Sequence, residues 1–534
     1  MTRVLRLVAV AVLLTGTAAA IAPAVTAASP PRWVRHVDNY PGGISNGVRA
    51  RVVQASQDVT LSGNRLQPTA TSTTVTLDNV QMNADCDPPL PQNETSVAFN
   101  PGNPRSAVAA ANDYCGDGFW IGRTSDGGRT WTSTFKDPKT STGDRCFGSD
   151  PSVVYSVRNA AFYLSTLCFF TTSPISEVQV WKSVDGGATW TPSTDAAIVI
   201  TNRAGDGSID PSVFYDKELL AVDNNPASPH YGRVYVTFIK FHLTPPSGRS
   251  DYCPAQVAFT DSIPTANPSV STWTHVAIVP DAPGANGVGP SANQWAVPVV
   301  DDQGGLDVSY ASEDCNTAFD RTLYYKRSTT GGASFGPRVQ IDRPGQFQDN
   351  PNRQDLLPAK HARLPISPSM AFDPTTRTLL YAYQNNVNAG VSGADISLQT
   401  SSDYGQTWSN ARFISVTASG APAPRDQYFP WLSVDQSGTV HAIWYDNRMD
   451  IGNKLIRTFQ AVSTDAGATW DNFNVSTAAW NPDKSFFTCG CFIGDYNALA
   501  ASDQVVYPVW TDGRNTPGPP LGQTDIFTNV EISP

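Results

Sequence analysis

The stretch SVDGGATW (183–190) is polar and glycine-rich, yet it ends in tryptophan, a large apolar side chain that is costly to leave in water. It recurs. TSDGGRTW (124–131), SSDYGQTW (401–408) and STDAGATW (463–470) align with it residue for residue, and STTGGASF (328–335) is a worn copy. Each copy follows two alternating apolar runs joined by a short turn. In the best-formed case PWLSVD (430–435), QSG and TVHAIWYD (439–446) read as a hairpin, and IRTFQAVS (456–463) reads as a third strand running into the motif. The chain continues beyond the motif as a fourth strand, so the repeating unit is a four-stranded antiparallel sheet.

First-strand signals recover units whose motif has decayed: ETSVAFNP (94–101), DPSVVYS (150–156), KELLAVD (217–223), QWAVPVVDD (294–302), SPSMAFDP (367–374), FPWLSVD (429–435) and DYNALAAS (495–502). Radial packing of such sheets covers their edges and faces together. The expected fold is all-β, a seven-bladed β-propeller of four-stranded antiparallel blades, with six blades plus a separate hairpin domain as the rival count. The last unit supplies three strands before the chain stops, and TSTTVTLDNVQ (71–81) alternates with period two but has no unit of its own. It is predicted to close the ring as the outer strand of the last blade. Domain organisation follows: a signal peptide at 1–28, an irregular segment at 29–70 with no assignable structure, and one propeller over 71–534.

Composition agrees. The chain has 534 residues with 40 Gly, 42 Pro, 10% aromatic and only 16% charged residues, the profile of short strands and many turns. Arg3 and Arg6 precede an apolar run from Leu7 to Leu14 and small residues near Ala27 and Ala28, which reads as a cleaved export signal. A secreted, extracellular, monomeric product is expected. Eight cysteines in an oxidising compartment imply disulfides. Cys146 with Cys168, Cys253 with Cys315 and Cys86 with Cys115 are the proposed pairs, and Cys489 and Cys491 of CGC form either a tight local disulfide or two separate bridges. Loss of the leader removes two arginines and no acid, so the formal charge moves from −11 to −13. Nucleic acid and anionic membranes, which need a basic footprint, are excluded as first readings. The six histidines show no metal spacing; no cofactor is expected, with structural calcium left open.

The pattern Ser/Thr-x-Asp-x-Gly-x-Thr-Trp resembles the Asp-box, or BNR repeat, of bacterial sialidases and related propellers, from Glu94 to the C-terminus. Within it the Asp (126, 185, 403, 465) accepts hydrogen bonds from its own turn, the glycine supplies positive φ, and the Trp packs on a neighbouring sheet. The resemblance implies a sialidase-like exported glycoside hydrolase. Sialidases hold a substrate carboxylate with three arginines, the first in an Arg-Ile-Pro motif. That motif is absent here, and RLP (363–365) is the nearest stretch.

Topology assigns the functional face. In an up-and-down sheet the motif turns share one face with the first hairpin turns, so the long loops 242–254, 342–367, 480–494 and 514–525 crowd the other. Three of the five glutamates in the chain, Glu94, Glu218 and Glu313, map there. The candidate catalytic residues are Glu94, Asp150 and Glu218 in acid/base roles, Tyr445 or Tyr496 as nucleophile, and Asp495. Substrate would be held by Lys217, Arg363, Arg448, Arg514 and Trp431. WYDNR (444–448) and WTDGR (510–514) also carry a structural reading, an Asp–Arg bridge pinning a loop. Hydrolysis of acidic or complex glycans is the expected activity, because glycoside cleavage needs two carboxyl groups with separated pKa values or a Tyr activated by a carboxylate. A non-catalytic propeller that binds glycans or a protein, and a polysaccharide lyase, are the alternatives.

Overall fold

The hairpin read at 430–446 forms as the alternation requires: Gln427–Val434 pairs antiparallel with Val440–Asp446, which pairs with Arg457–Ser463, which pairs with Asp471–Asn474. The computed structural model describes residues 29–40, 43–56, 79–191, 196–281, 291–312, 314–317, 321–345, 357, 359–386, 393–485, 492–516, 522–529 and 531–532. Seven such sheets follow one another along the chain, giving a seven-bladed propeller. Their innermost strands are Gln92–Asn100, Ser152–Ser156, Val213–Val222, Asn293–Val300, Ser369–Asp373, Gln427–Val434 and Ala498–Ala501. These pack against one another in ring order, the seventh against the first. The third blade carries an extra short strand, Ser250–Tyr252, beside its second strand.

The ring closes by the predicted route. Val80–Gln81 pairs with Asp525–Thr528 in the last blade, Val80 opposite Thr528 and Gln81 opposite Phe527. The rest of the predicted strand, 71–78, lies outside the described residues. The third strand of the last blade is interrupted, with Asp525–Thr528 and Glu531–Ile532 both pairing with Val505–Asp512.

The recurring octapeptide forms the outer turn of its blade. Asp185 accepts from Ser183 Oγ at 2.9 Å, Thr189 N at 2.9 Å and Thr189 Oγ1 at 2.5 Å, and Asp126, Asp403 and Asp465 repeat the arrangement. In the worn copy Thr330 stands in for the Asp, its hydroxyl accepting from Ser334 N at 2.9 Å. The motif glycines have φ between 77° and 89°. They also lie against the preceding blade: a Cβ on Gly405 would sit 2.0 Å from Tyr325. The tryptophans complete the seam, with Trp131 edge-on to Tyr507 and Trp408 against Tyr325 and Tyr381. Three disulfides are present, Cys86–Cys115, Cys146–Cys168 and Cys253–Cys315. Cys489 and Cys491 lie outside the described residues.

One expectation is overturned. Segment 29–70 holds two helices, α1 (Arg32–Asn39) and α2 (Asn46–Ser56). Trp33, Val34 and Val37 share one face of α1, and with Ile44 and Val48 they join the core formed by the second, third and fourth blades. Helices this short draw their stability from tertiary packing rather than propensity, and a reading by local pattern passes over them. None of the helices among the described residues is long and apolar enough to cross a membrane.

Candidate active site at the channel mouth

The innermost strands share a device. In four of them the register with the second strand slips, between Asn93 and Ser96, Asp216 and Leu219, Gln294 and Val297, and Tyr428 and Trp431. The residue at each slip is left-handed: Glu94 (φ 58°), Lys217 (57°), Trp295 (58°) and Phe429 (58°), with Asp150 (55°) just ahead of the second blade's strand. A non-glycine residue held there costs on the order of 1–3 kcal/mol, and such strain concentrates at functional sites. The bulge re-aims the side chain it carries. Three of the five residues are charged, and all three meet.

Lys217 Nζ lies 3.1 Å from Asp495 Oδ2, 3.4 Å from Asp150 Oδ2 and 3.6 Å from Glu94 Oε1. The ammonium also sits 4.4 Å from the centre of the Trp295 ring and 5.5 Å from that of Tyr496. Asp495 is shared with Arg363, whose Nη1 is 3.0 Å away. Asn112 couples the two remaining acids: its Nδ2 donates to Glu94 Oε2 at 2.6 Å and its Oδ1 accepts from Asp150 N at 2.8 Å. Ser149 Oγ donates to Asp150 Oδ1. Every member is buried, Lys217 and Tyr496 at 5% exposure and Glu94, Asp150, Glu218 and Asp495 at 0–1%.

The surroundings separate the proton affinities of these groups. Burial, reinforced by the neighbouring Asp150, pushes the Glu94 carboxyl well above the usual range. Asp150 is buried too, but the Lys217 ammonium and the Ser149 hydroxyl outweigh burial and hold its carboxyl below the ordinary value. Glu218 is raised well above it by burial and then by Asp150, and Asp216 is pushed up to about 7 by the same two causes. Burial would lower Lys217, but Asp150, Glu94 and Asp495 more than compensate and keep it charged. The Tyr496 phenol is raised well above its usual value, first by burial, which disfavours a phenolate nucleophile. A carboxyl raised by burial beside one held low by a fixed cation gives the separated proton affinities that an acid/base pair requires.

Glu94, Asp150, Glu218, Asp495, Tyr496, Lys217 and Arg363 therefore converge, and Trp431 packs against Tyr496 with ring centres 6.1 Å apart. DKE (216–218) sits at a mid-strand bulge rather than where its strand begins, because that strand starts at Val213. Three candidates fall away from the cluster. Tyr445 is buried in the core of the sixth and seventh blades, its hydroxyl donating to Thr511 O at 2.6 Å. Arg448 binds Asp446 at 2.7 Å, and Arg514 binds Asp512 at 2.7 Å. Each Asp also accepts from the Trp two residues before it. This is the structural bridge that the recurrence suggested. Glu313 lies outside the described residues. Among the described residues no group of three or more His, Cys, Asp or Glu is arranged to hold a metal.

Sequence reasoning passed over Asn112, which no charge or motif marks. It also missed what covers the cluster. The Gly47 Cα in α2 lies so close that a Cβ there would be 2.6 Å from Glu94 Oε2 and 2.8 Å from both Asp150 Oδ1 and Ser149 Oγ. Ser45 N donates to Asp216 Oδ2 at 2.8 Å, and Gln294 Nε2 donates to Gly43 O at 3.0 Å.

No protein-family model and no curated protein matches the chain. Solved structures with a similar course of chain include a protein of unknown function from Dyadobacter fermentans (12% identity, TM-score 0.45, covering 74% of this chain and 97% of that one). The α-L-arabinofuranosidase Arb93A of Fusarium graminearum is similar at 14% identity and TM-score 0.44 over 72% of this chain and 97% of that one. Trypanosoma rangeli sialidase is similar at 13% identity and TM-score 0.41 over 73% of this chain and 57% of that one.

Proposed function

We propose that this chain is an exported glycoside hydrolase whose reaction centre is the Glu94–Asp150 pair at the channel mouth. The observation that carries the reading is that Glu94 and Asp150 meet at Lys217 and share Asn112, with burial raising the Glu94 carboxyl and Lys217 helping to hold that of Asp150 below its ordinary value. Glu94 would protonate the leaving oxygen, and Asp150, its immediate neighbour, would set the proton affinity of Glu94. Lys217, Arg363 and Asp495 offer donors and acceptors to hydroxyl groups, and Trp295, Trp431 and Tyr496 offer apolar faces to a ring. Within the cluster the two cations face the carboxyl groups of Asp150 and Asp495, so a neutral sugar suits it as well as an acidic one.

A panel of sialosides and neutral aryl glycosides, including arabinofuranosides, tests the reading. Turnover of at least one class that disappears in both Glu94→Gln and Asp150→Asn supports it; a folded protein inert on every substrate with its channel mouth open sinks it. The burial of every group in the cluster favours a second reading, a propeller that binds glycans without cleaving them. That reading expects retention on a glycan array with no product. A lyase would release material absorbing near 235 nm, but it needs a Tyr or His base. The Tyr496 phenol is raised well above its usual value, and the histidines are engaged elsewhere: His36 with Gly248, His275 with Val199, His242 with Asp281, His361 with Asp483 and His441 with Asp435.

A further inference from the structure

We infer that Arg32–Ser56 is a built-in inhibitor of this site, a segment that occupies the ligand's place over the channel mouth and must leave before a ligand enters. The inference rests on the preceding reading of the mouth as a glycan site and adds its regulation.

Placement comes first. The segment lies on the long-loop face, opposite the motif turns, and Gly43 to Gly47 run directly over the acids. Where a sugar would present hydroxyl groups, the segment presents peptide groups: the N–H of Ser45 to Asp216 and the carbonyl of Gly43 to Gln294. Only a glycine at 47 fits between Glu94, Asp150 and Ser149.

The fit is incomplete in a telling way. Around the cluster both carboxyl oxygens of Glu218, Asp216 Oδ1, Gln294 Oε1 and both side-chain polar atoms of Asn293 are buried without a hydrogen-bond partner, as are both of Asn46 on the segment itself. An unpaired buried polar group costs about 1–3 kcal/mol. A polyhydroxylated ligand would pair these groups.

The attachment runs through side chains rather than strand pairing, since the two helices add no strand to any sheet. Beside their apolar contacts with the core and the bonds of Arg32, Arg35, Asn39 and Gln54 to propeller carbonyls, three anchors stand out. Trp33 packs on Phe169 and Phe214. The His36 ring donates from Nδ1 to Gly248 O at 2.8 Å. Arg51, fully buried, donates to the carbonyls of Asp113 (3.1 Å), Gly116 (2.6 Å), Gly148 (3.1 Å) and Gly118, and lies over the Tyr114 ring.

The test is the full chain carrying Trp33→Ala, Gly47→Leu and Arg51→Ala together, followed by hydrogen exchange and assayed for both turnover and glycan-array binding. The expected result is exchange across 43–56 at least 100-fold faster, blade strands as protected as in the parent, and turnover or binding raised at least tenfold. Two results overturn the inference on structural grounds. If 43–56 stays protected, or if the blades lose protection with it, the segment is an integral part of the fold. Release with turnover equal to that of the parent overturns it while leaving the hydrolase reading intact. Release that exposes the mouth and yields neither turnover nor binding overturns both. Binding without turnover keeps the inhibitor and removes the hydrolase.

Discussion

Replacing Lys217 by Met removes the charge on which the cluster is built while keeping most of the side-chain volume. Each contact with a carboxylate, Asp495 at 3.1 Å and Asp150 at 3.4 Å, is worth roughly 5 kcal/mol of gross attraction at an effective dielectric near 20. Glu94 keeps its proton and loses little, and Asp495 retains Arg363 at 3.0 Å. Asp150 is the group left stranded. One uncompensated buried carboxylate costs about 3–5 kcal/mol. Unfolding entropy of about 2.1 cal/mol/K per residue over roughly 450 residues converts that to a fall in Tm of about 3–5 °C. The pH dependence carries the sharper signature. In the parent, Asp150 is depressed below its unfolded value, so its contribution is present at neutral pH and is lost as the pH falls through its folded pKa. In the variant the carboxyl is raised above its unfolded value, so the defect is largest near pH 7 and shrinks as the pH falls toward 4 and the group takes up a proton. Calorimetry at pH 7 and pH 4.5 reads both. A loss under about 1 kcal/mol, or a defect that grows in acid, would refute the electrostatic account.

Other consequences are as specific. Trp131→Ala empties the seam against Tyr507 and should cost about 3–5 kcal/mol by chemical denaturation, with no effect on the cluster. Burial, opposed by the bond to Gly248, pushes the His36 imidazole down to about 4, whereas a released segment titrates near 6.5. The His36 contribution to docking is therefore full above pH 6.5, falls as the pH drops through that value, and is about 3 kcal/mol smaller by pH 4. Exchange across 32–56 should accelerate over that window in the parent and not in His36→Gln. Tyr445→Phe should destabilise the chain by about 1 kcal/mol, the value of its bond to Thr511, and leave any turnover unchanged.

The blades were legible because each carries its own punctuation. Asp185, Gly187 and Trp190 specify a turn by local chemistry, and that chemistry is repeated four times with one worn copy. Ring closure followed from counting strands, and three disulfide pairs followed from compartment and proximity along the chain. The site was legible in part, since topology put Glu94, Asp150, Lys217 and Asp495 on one face. Their convergence depends on bulges that turn single residues to positive φ, which sequence does not announce. Arg448 and Arg514 look like substrate ligands by residue type, but an Asp two residues earlier binds each of them. Asn112 is uncharged and lies within a strand that reads as ordinary. The covering helices escaped because α1, whose apolar residues share one face, spans only eight residues, and α2 spans eleven without such a face.

The central claim is that Glu94, kept protonated beside ionised Asp150, performs chemistry once Arg32–Ser56 is lifted away. The most direct measurement is the hydrolysis rate of the released triple variant on its best aryl glycoside, with and without Glu94→Gln. The account expects the added substitution to lower kcat by at least 100-fold while substrate binding stays within a few-fold and the blades keep their protection from exchange. Equal rates in the two proteins would contradict it.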